Sequence, residues 1–291
     1  MNRRQFAQNA VAMAAGLGAM EILPSLAVAQ TAAASPFRFS VMLWTLNKLG
    51  PFEQTIELVS KAGYSGIELV GEWRKWSDDE ALKTAAHLKT LGLRVDSMAG
   101  VKGSFADPDT IDALLADLNL SFAMARKLGC TQIILTTGKR VAKSSFEVCV
   151  DNLKKIAVIA EKADIEIVIE PIDLLENATS FLTSVTEAFQ MCRAVQSPKI
   201  KVLYDVYHEQ RQAGNILEKF EKNIDLVSLV HIADVPGRHE PGTGELNYNA
   251  VYKLLAKLNY KGYICMEFYP TGDAVTQLRA AREEAIRAAR A

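Results

Sequence analysis

The sequence predicts a single-domain TIM (β/α)8 barrel, and three observations carry that prediction. From Phe37 onward, short apolar runs alternate with longer amphipathic stretches, eight times over about 250 residues. Metal-capable side chains, Glu170, Asp205, His231 and Glu267, close the last four runs at intervals of 35, 26 and 36 residues, about one strand–helix unit each. No Gly-rich phosphate loop follows the first run, which counts against a doubly wound sheet.

Phe39–Trp44 reads as the first strand and Pro51–Ala62 as the first helix. Gly66–Val70 is the second strand. Asp78–Leu91 is helical because Ala81, Leu82, Ala85 and Leu88 fall at helical spacing. Leu93–Met98 is the third strand. Asp107-Pro108 then starts a long helix, since Asp caps and Pro suits the first turn; it stops at Gly129. Gln132–Thr136 and Ser144–Lys162 form the fourth unit. Glu166–Glu170 and a helix over about Ser180–Val195 form the fifth. Lys201–Tyr204 precedes a helix over about Asn215–Lys222, and Leu226–Val230 precedes Asn249–Leu258. Gly262–Met266 leads to a closing helix over Asp273–Arg290.

The first residues stand apart from this pattern. Asn2-Arg3-Arg4-Gln5-Phe6, a small-residue apolar stretch from Ala10 to Ala19 and Ala27-Val28-Ala29 look like a twin-arginine export signal with its cleavage site. Residues 1–29 are therefore expected to be a signal peptide, 30–36 a linker and 37–291 the barrel, with a periplasmic destination. An uncleaved anchor is the alternative. The apolar run falls short of the roughly 20 residues needed to span a bilayer, so no stable membrane insertion is expected.

With 49% hydrophobic residues in 291, the chain can bury one large core. A net charge of -1, with no basic run, excludes an electrostatic nucleic-acid binder. Cys130, Cys149, Cys192 and Cys265 show no CxxC or CxxH spacing and read as buried free thiols.

In a parallel barrel the strand ends meet on one rim, so Glu170, Asp205, His231 and Glu267 should converge there. Three carboxylates and one imidazole suit Mn²⁺, Mg²⁺ or Co²⁺ better than a structural zinc. A carboxylate at a strand end can instead cap the next helix. Moving a proton beside a carbonyl needs a base near the carbon and a group that stabilises the enediolate oxygen. A carboxylate supplies the first and a divalent cation the second. Two carboxylates on opposite faces allow epimerisation; one, working between adjacent carbons, gives aldose–ketose isomerisation.

His208, three residues after Asp205, can point into the same mouth, or sit at the surface of a helix start. Arg238 lies in the polar loop after His231 and suits a carboxylate or several hydroxyls, or pairs with Glu240. Glu240 and Glu245 shape that loop. Glu68, at the end of the second strand, touches substrate or orients a ligand. Lys139 and Arg140 are rim charge, Trp44, Trp73 and Trp76 wall the pocket or pack, and His87 is structural.

Four blocks carry a family resemblance: Ile169-Glu170-Pro171-Ile172, Asp205-Val206-Tyr207-His208, the stretch from His231 to Glu245, and Met266-Glu267-Phe268-Tyr269. Through them the mature chain resembles the sugar isomerase and epimerase barrels related to xylose isomerase, nearest the hydroxypyruvate isomerase branch. The resemblance implies that Glu170, Asp205, His231 and Glu267 hold a divalent ion, and that Glu170 and Glu267 are the acid–base pair on opposite faces of the substrate. It implies that His208, Arg238 and Glu176 bind substrate, and that oligomers are common. His at position 231 is the ketose epimerase choice, where the hydroxypyruvate branch often has Gln, and Asp173 stands where Asn is common. The expected activity is a hydroxypyruvate-type isomerisation of a small sugar or hydroxy-keto acid. A ketose 3-epimerase, a 3-keto-glycoside lyase and a non-catalytic sugar-binding protein are the alternatives.

Overall fold

A computed structural model describes residues 35–291. The proposed signal segment and most of the linker lie outside the described residues. Eight parallel strands close into a barrel in sequence order. They are β1 (Arg38–Met42), β2 (Gly66–Val70), β3 (Arg94–Ala99), β4 (Gln132–Thr136), β5 (Glu166–Glu170), β6 (Ile200–Asp205), β7 (Val227–Ile232) and β8 (Tyr263–Met266). β8 pairs back onto β1 through Val41↔Met266, which shuts the ring and leaves no free edge.

The helices form the outer layer: α1 (Phe52–Lys61), α2 (Asp78–Thr90), α3 (Ile111–Leu128), α4 (Phe146–Ala163), α5 (Val185–Val195), α6 (Val206–Gln212), α7 (Ile216–Asn223), α8 (Tyr248–Lys257) and α9 (Ala274–Arg290). Side chains alternate along each strand. One set packs outward under the helices, as Ile67, Ile133, Ile167 and Val202 do. The other fills the ring with Met42, Ile134, Val168, Leu203, Leu229, Tyr263 and Cys265. Ser40, Glu68, Asp96 and Ser97 are also buried, so the structure is polar as well as apolar at depth. All four cysteines are buried and free. Among the described residues no helix is long and apolar enough to cross a membrane.

Several element ends differ from the sequence reading. The long third helix begins at Ile111, because Asp107 is spent on a turn, accepting from the Asp109 N–H at 2.9 Å. The fifth begins at Val185, where Ser184 caps it, and not at Ser180. The first strand stops at Met42 and Leu43–Leu46 turn as a 3-10 helix, which moves Trp44 off the strand. An unexpected short helix, α6, follows β6 directly.

Candidate active site and metal centre

The barrel register sets the site. Asp205 pairs with His231 across β6 and β7, His231 with Cys265 across β7 and β8, and Thr136 with Glu170 across β4 and β5. The four strand-end residues thus meet at the carboxyl end of the ring. Ligand atoms of Glu170, Asp205, His231 and Glu267 all lie within 4.8 Å of one another, and all four residues are buried.

Each side chain is held by its own element. Asp205 caps α6: its Oδ1 accepts from the N–H groups of Tyr207 at 2.7 Å and His208 at 3.2 Å. That leaves Oδ2 facing the site, 3.1 Å from Arg238 Nη2. Helix capping and site chemistry are not alternatives here; one carboxylate does both. His231 is gripped at both ring nitrogens, Nδ1 at 2.5 Å from Glu267 Oε2 and Nε2 at 3.0 Å from Glu68 Oε2. Glu170 Oε1 lies 3.9 Å from His231 Nδ1. Glu267 also accepts from Trp44 Nε1 at 2.8 Å and pairs with Arg238 at 2.7 Å.

Three buried carboxylates this close repel one another and require positive charge. Arg238 and His231 supply it in the structure. The oxygen-rich donor set, with one nitrogen, fits a hard or borderline divalent cation. The two glutamates are not equivalent. Burial, with the charge of Glu267, pushes Glu170 up to about 7 against the opposing pull of His231. Burial would raise Glu267 too, but Arg238 and His231 outweigh it and hold Glu267 well below the usual carboxylate range. Burial opposes a charged His231, yet Glu68 and Glu267 raise it well above 6.5.

His208 is buried, not at the surface. Its Nδ1 lies 2.6 Å from Asp173 Oδ2, and its Nε2 lies 3.3 Å from Arg238 Nη1. Burial lowers its proton affinity, but Asp205 and Asp173 raise it more. Arg238 is pinned between Asp205 and Glu267 and lies over the Trp44 and Tyr207 rings; it makes no pair with Glu240. Glu240 instead bonds Thr271, tying the loop after β7 to the loop after β8. Glu176 is exposed and ion-paired with Arg211 at 2.9 Å, one shell outward of the buried cluster. Glu245 accepts from Gln210 at 3.2 Å.

A cavity of about 260 Å³ opens against this cluster. It is lined by Glu170 and Glu267 together with Met42, Trp44, Val70 and Ile134. Trp44 is therefore a wall. Trp73 and Trp76 pack elsewhere, Trp73 donating to Ala99 O and Trp76 meeting the Phe52 ring. A larger cavity, about 530 Å³, lies at the opposite end of the ring below Asp96 and touches none of the four strand-end residues. Lys139 and Arg140 lie beside Ser180 and Thr179, and Arg140 covers the Phe181 ring.

The roles of three residues were not read from the sequence. Asp173 orients His208. Asp234 gathers the N–H groups of Val235 (2.8 Å), Gly242 (2.8 Å) and Leu246 (3.1 Å) and so shapes the loop that carries Arg238. An Asp followed within two residues by Pro-Gly was the available signal, since such carboxylates nucleate turns. Asp96 had no signal in the sequence.

The model of the xylose isomerase-like TIM barrel matches residues 56–290. The chain belongs to the xylose isomerase-like TIM barrel family. Within it, a putative hydroxypyruvate isomerase of Danio rerio is 30% identical over 256 residues, covering 82% of this chain and 92% of that relative. The hydroxypyruvate isomerase of Escherichia coli (strain K12) is 29% identical over 253 residues, covering 83% and 97%. Among solved structures, an AP endonuclease, family 2, from Brucella melitensis superposes with a TM-score of 0.75 at 26% identity, covering 83% of this chain and 96% of that one. The relatives make the chain an isomerase of the xylose isomerase-like family.

Proposed function

We propose that the protein is a divalent-metal-dependent isomerase that moves a proton beside the carbonyl of a small hydroxy-keto acid. The observation that carries this is the pair Glu170 and Glu267, in one buried four-donor cluster with opposite proton affinities. Two carboxyls pushed apart in this way take unequal proton roles, and Glu267 is the one that stays ionised. Glu267, held ionised, accepts the proton from the hydroxyl-bearing carbon. Glu267, protonated by that step, returns the proton to the former carbonyl carbon and is left ionised again, while Glu170, a carboxylate when it holds the cation, helps fix the substrate oxygens. The hydroxyl proton passes to the other oxygen, so the product is an isomer and nothing is gained or lost. A divalent cation held by Glu170, Asp205, His231 and Glu267 would supply Lewis-acid stabilisation of the substrate oxygens.

Arg238 and His208, 3.3 Å apart, are already engaged by Asp205, Glu267 and Asp173, so they balance the charge of the cluster behind the cavity. A cavity of about 260 Å³ supports a small substrate such as hydroxypyruvate over a disaccharide. His231 in place of Gln supports a ketose 3-epimerase as the second reading, with both glutamates acting as bases in turn.

The test is proton exchange in D₂O, followed by NMR with Mg²⁺ and a panel of hydroxypyruvate, ketoses and 3-keto-glucosides. Deuterium at the hydroxyl-bearing carbon next to the carbonyl supports isomerisation. Label at C3 of a ketose moves the reading to epimerase, and eliminated product to lyase. Glu267→Gln should lower exchange by about 10²–10⁴; a variant that works like wild type sinks the mechanism. We further propose periplasmic export through Arg3-Arg4. Replacing both by Lys should leave the unprocessed chain in the cytoplasm on fractionation; unchanged export would refute it.

A further inference from the structure

We propose that Glu68 is the positioning residue that makes His231 a ligand: it takes the Nε2–H and so turns the Nδ1 lone pair toward Glu170 and Glu267. This rests on the reading of the four strand-end residues as a cation site. Glu68 comes from β2 and reaches across the ring to β7. Its Oε2 lies 3.0 Å from His231 Nε2, and both residues are fully buried. The other nitrogen, Nδ1, faces Glu267 Oε2 at 2.5 Å and Glu170 Oε1 at 3.9 Å.

A neutral imidazole carries one N–H and one lone pair, and the acceptor offered to the N–H decides which nitrogen is which. A ligating histidine accordingly donates its second N–H to a carboxylate or carbonyl, which fixes ring and tautomer. Glu68 meets that requirement. It is also a poor structural device: Oε1 has no hydrogen-bond partner, and neither do the Ser40 and Ser97 hydroxyls buried near it. Burying a carboxylate with one oxygen unpaired costs stability, so the bond to His231 is its evident use. Glu68 meets the imidazole at the nitrogen opposite the one that faces Glu267 and Glu170, which makes it an orienter of the ligand set and not a fifth member.

Two measurements on the purified protein test this. The first is Mn²⁺ affinity, read from the EPR signal of free Mn²⁺. Glu68→Gln should weaken it at least tenfold, within the 10–100-fold range of such partners. Ser97→Ala, which changes a neighbour that does not touch His231, should leave it within twofold. The second is the tautomer of His231 in Mg²⁺-loaded wild type, from long-range ¹H–¹⁵N correlations; the chain has four histidines, and His231→Gln assigns the signal. Protonated Nε2 with bare Nδ1 supports the proposal, and it decides the matter even if Glu68→Gln does not fold. Protonated Nδ1, or Glu68→Gln binding within twofold of wild type, overturns it. Wild type that binds no Mn²⁺ overturns the cation site itself, and the Glu68 proposal with it, a result distinct from a defect confined to the variant.

Discussion

Asp96 shows how much a single buried acid inside the barrel can cost. It is 5% exposed and both its carboxylate oxygens lack partners. Gly66 makes room for it: a Cβ there would come within 2.8 Å of the Tyr263 ring, 2.9 Å of Ser40 Cβ and 3.2 Å of Asp96 Oδ1. Burial, then the charge of Glu68, raises Asp96 well above its ordinary 3.8. The folded state therefore holds the proton more tightly than the unfolded chain, and stability falls as pH climbs above about 4. Asp96→Asn removes that penalty without changing shape. It should raise stability by about 1–2 kcal/mol at pH 8, a few degrees in melting temperature, with the gain shrinking toward pH 4. A variant less stable than wild type at pH 8 would contradict this. At this scale the sequence was half legible. The four strand-end residues could be read because a barrel converts intervals along the chain into neighbours on a rim. The acids that face them could not, because whether Asp173 meets His208 or Asp96 meets Glu68 depends on backbone paths that spacing does not encode.

Among elements, the segment after β7 is the most constrained. Asp234 collects three backbone N–H groups from it, and Tyr269 N–H donates to Arg238 O at 2.8 Å, joining it to the stretch after β8. Gly244 is where the turn closes on itself. A Cβ there would sit 2.0 Å from Val235 O and 2.6 Å from Asp234 Oδ1, both fixed groups. Gly244→Ala must therefore push the loop off Asp234 and shift Arg238, which is pinned 2.7 Å from Glu267. Displacement of about 1 Å is worth on the order of 10²-fold in rate, so kcat/KM should drop 10–100-fold. Overpacking should cost about 1–3 kcal/mol, while far-UV circular dichroism stays unchanged. Equal kcat/KM in the two proteins would mean the loop does not position Arg238. The run from Asp234 to Glu245 announced a loop by its Pro and Gly content, but not what it was wound around. The short helix α6 was missed for a related reason. Seven residues give too little periodicity to read, and Asp205 was reserved for the site although its second oxygen was free to cap.

For the whole molecule the barrel was legible because its period is long and repeated: eight apolar runs and their helices survive errors of several residues at any one end. The division of labour around the ring was less so. β5 to β8 supply every strand-end donor, while Met42, Val70 and Ile134 give the mouth an apolar wall. A cation that bridges four successive units should therefore act on global stability, and protons should compete with it. Glu170 is pushed up to about 7, so its proton is held more tightly in the fold than in the unfolded chain, and metal-free stability falls as pH rises from 4.5 to 7. His231, raised above 6.5, contributes stability that is full below that value and is lost as pH rises through its higher folded value. Binding a cation displaces both protons. Affinity for Mn²⁺ should then fall at least tenfold for each pH unit between 7 and 5.5. At a free Mn²⁺ concentration about 1,000 times the dissociation constant, stabilisation is about 4 kcal/mol, roughly 8–16 °C for a chain of this size. Thermal melts with and without 1 mM Mn²⁺ should show a shift of that order at pH 8 and a much smaller one at pH 5.5. Glu170→Gln should abolish most of the shift at pH 8 while leaving the metal-free protein at least as stable as wild type there, because it removes a buried charge. A Mn²⁺ shift independent of pH would mean that neither proton is displaced, and that the cation is held somewhere other than among these four residues.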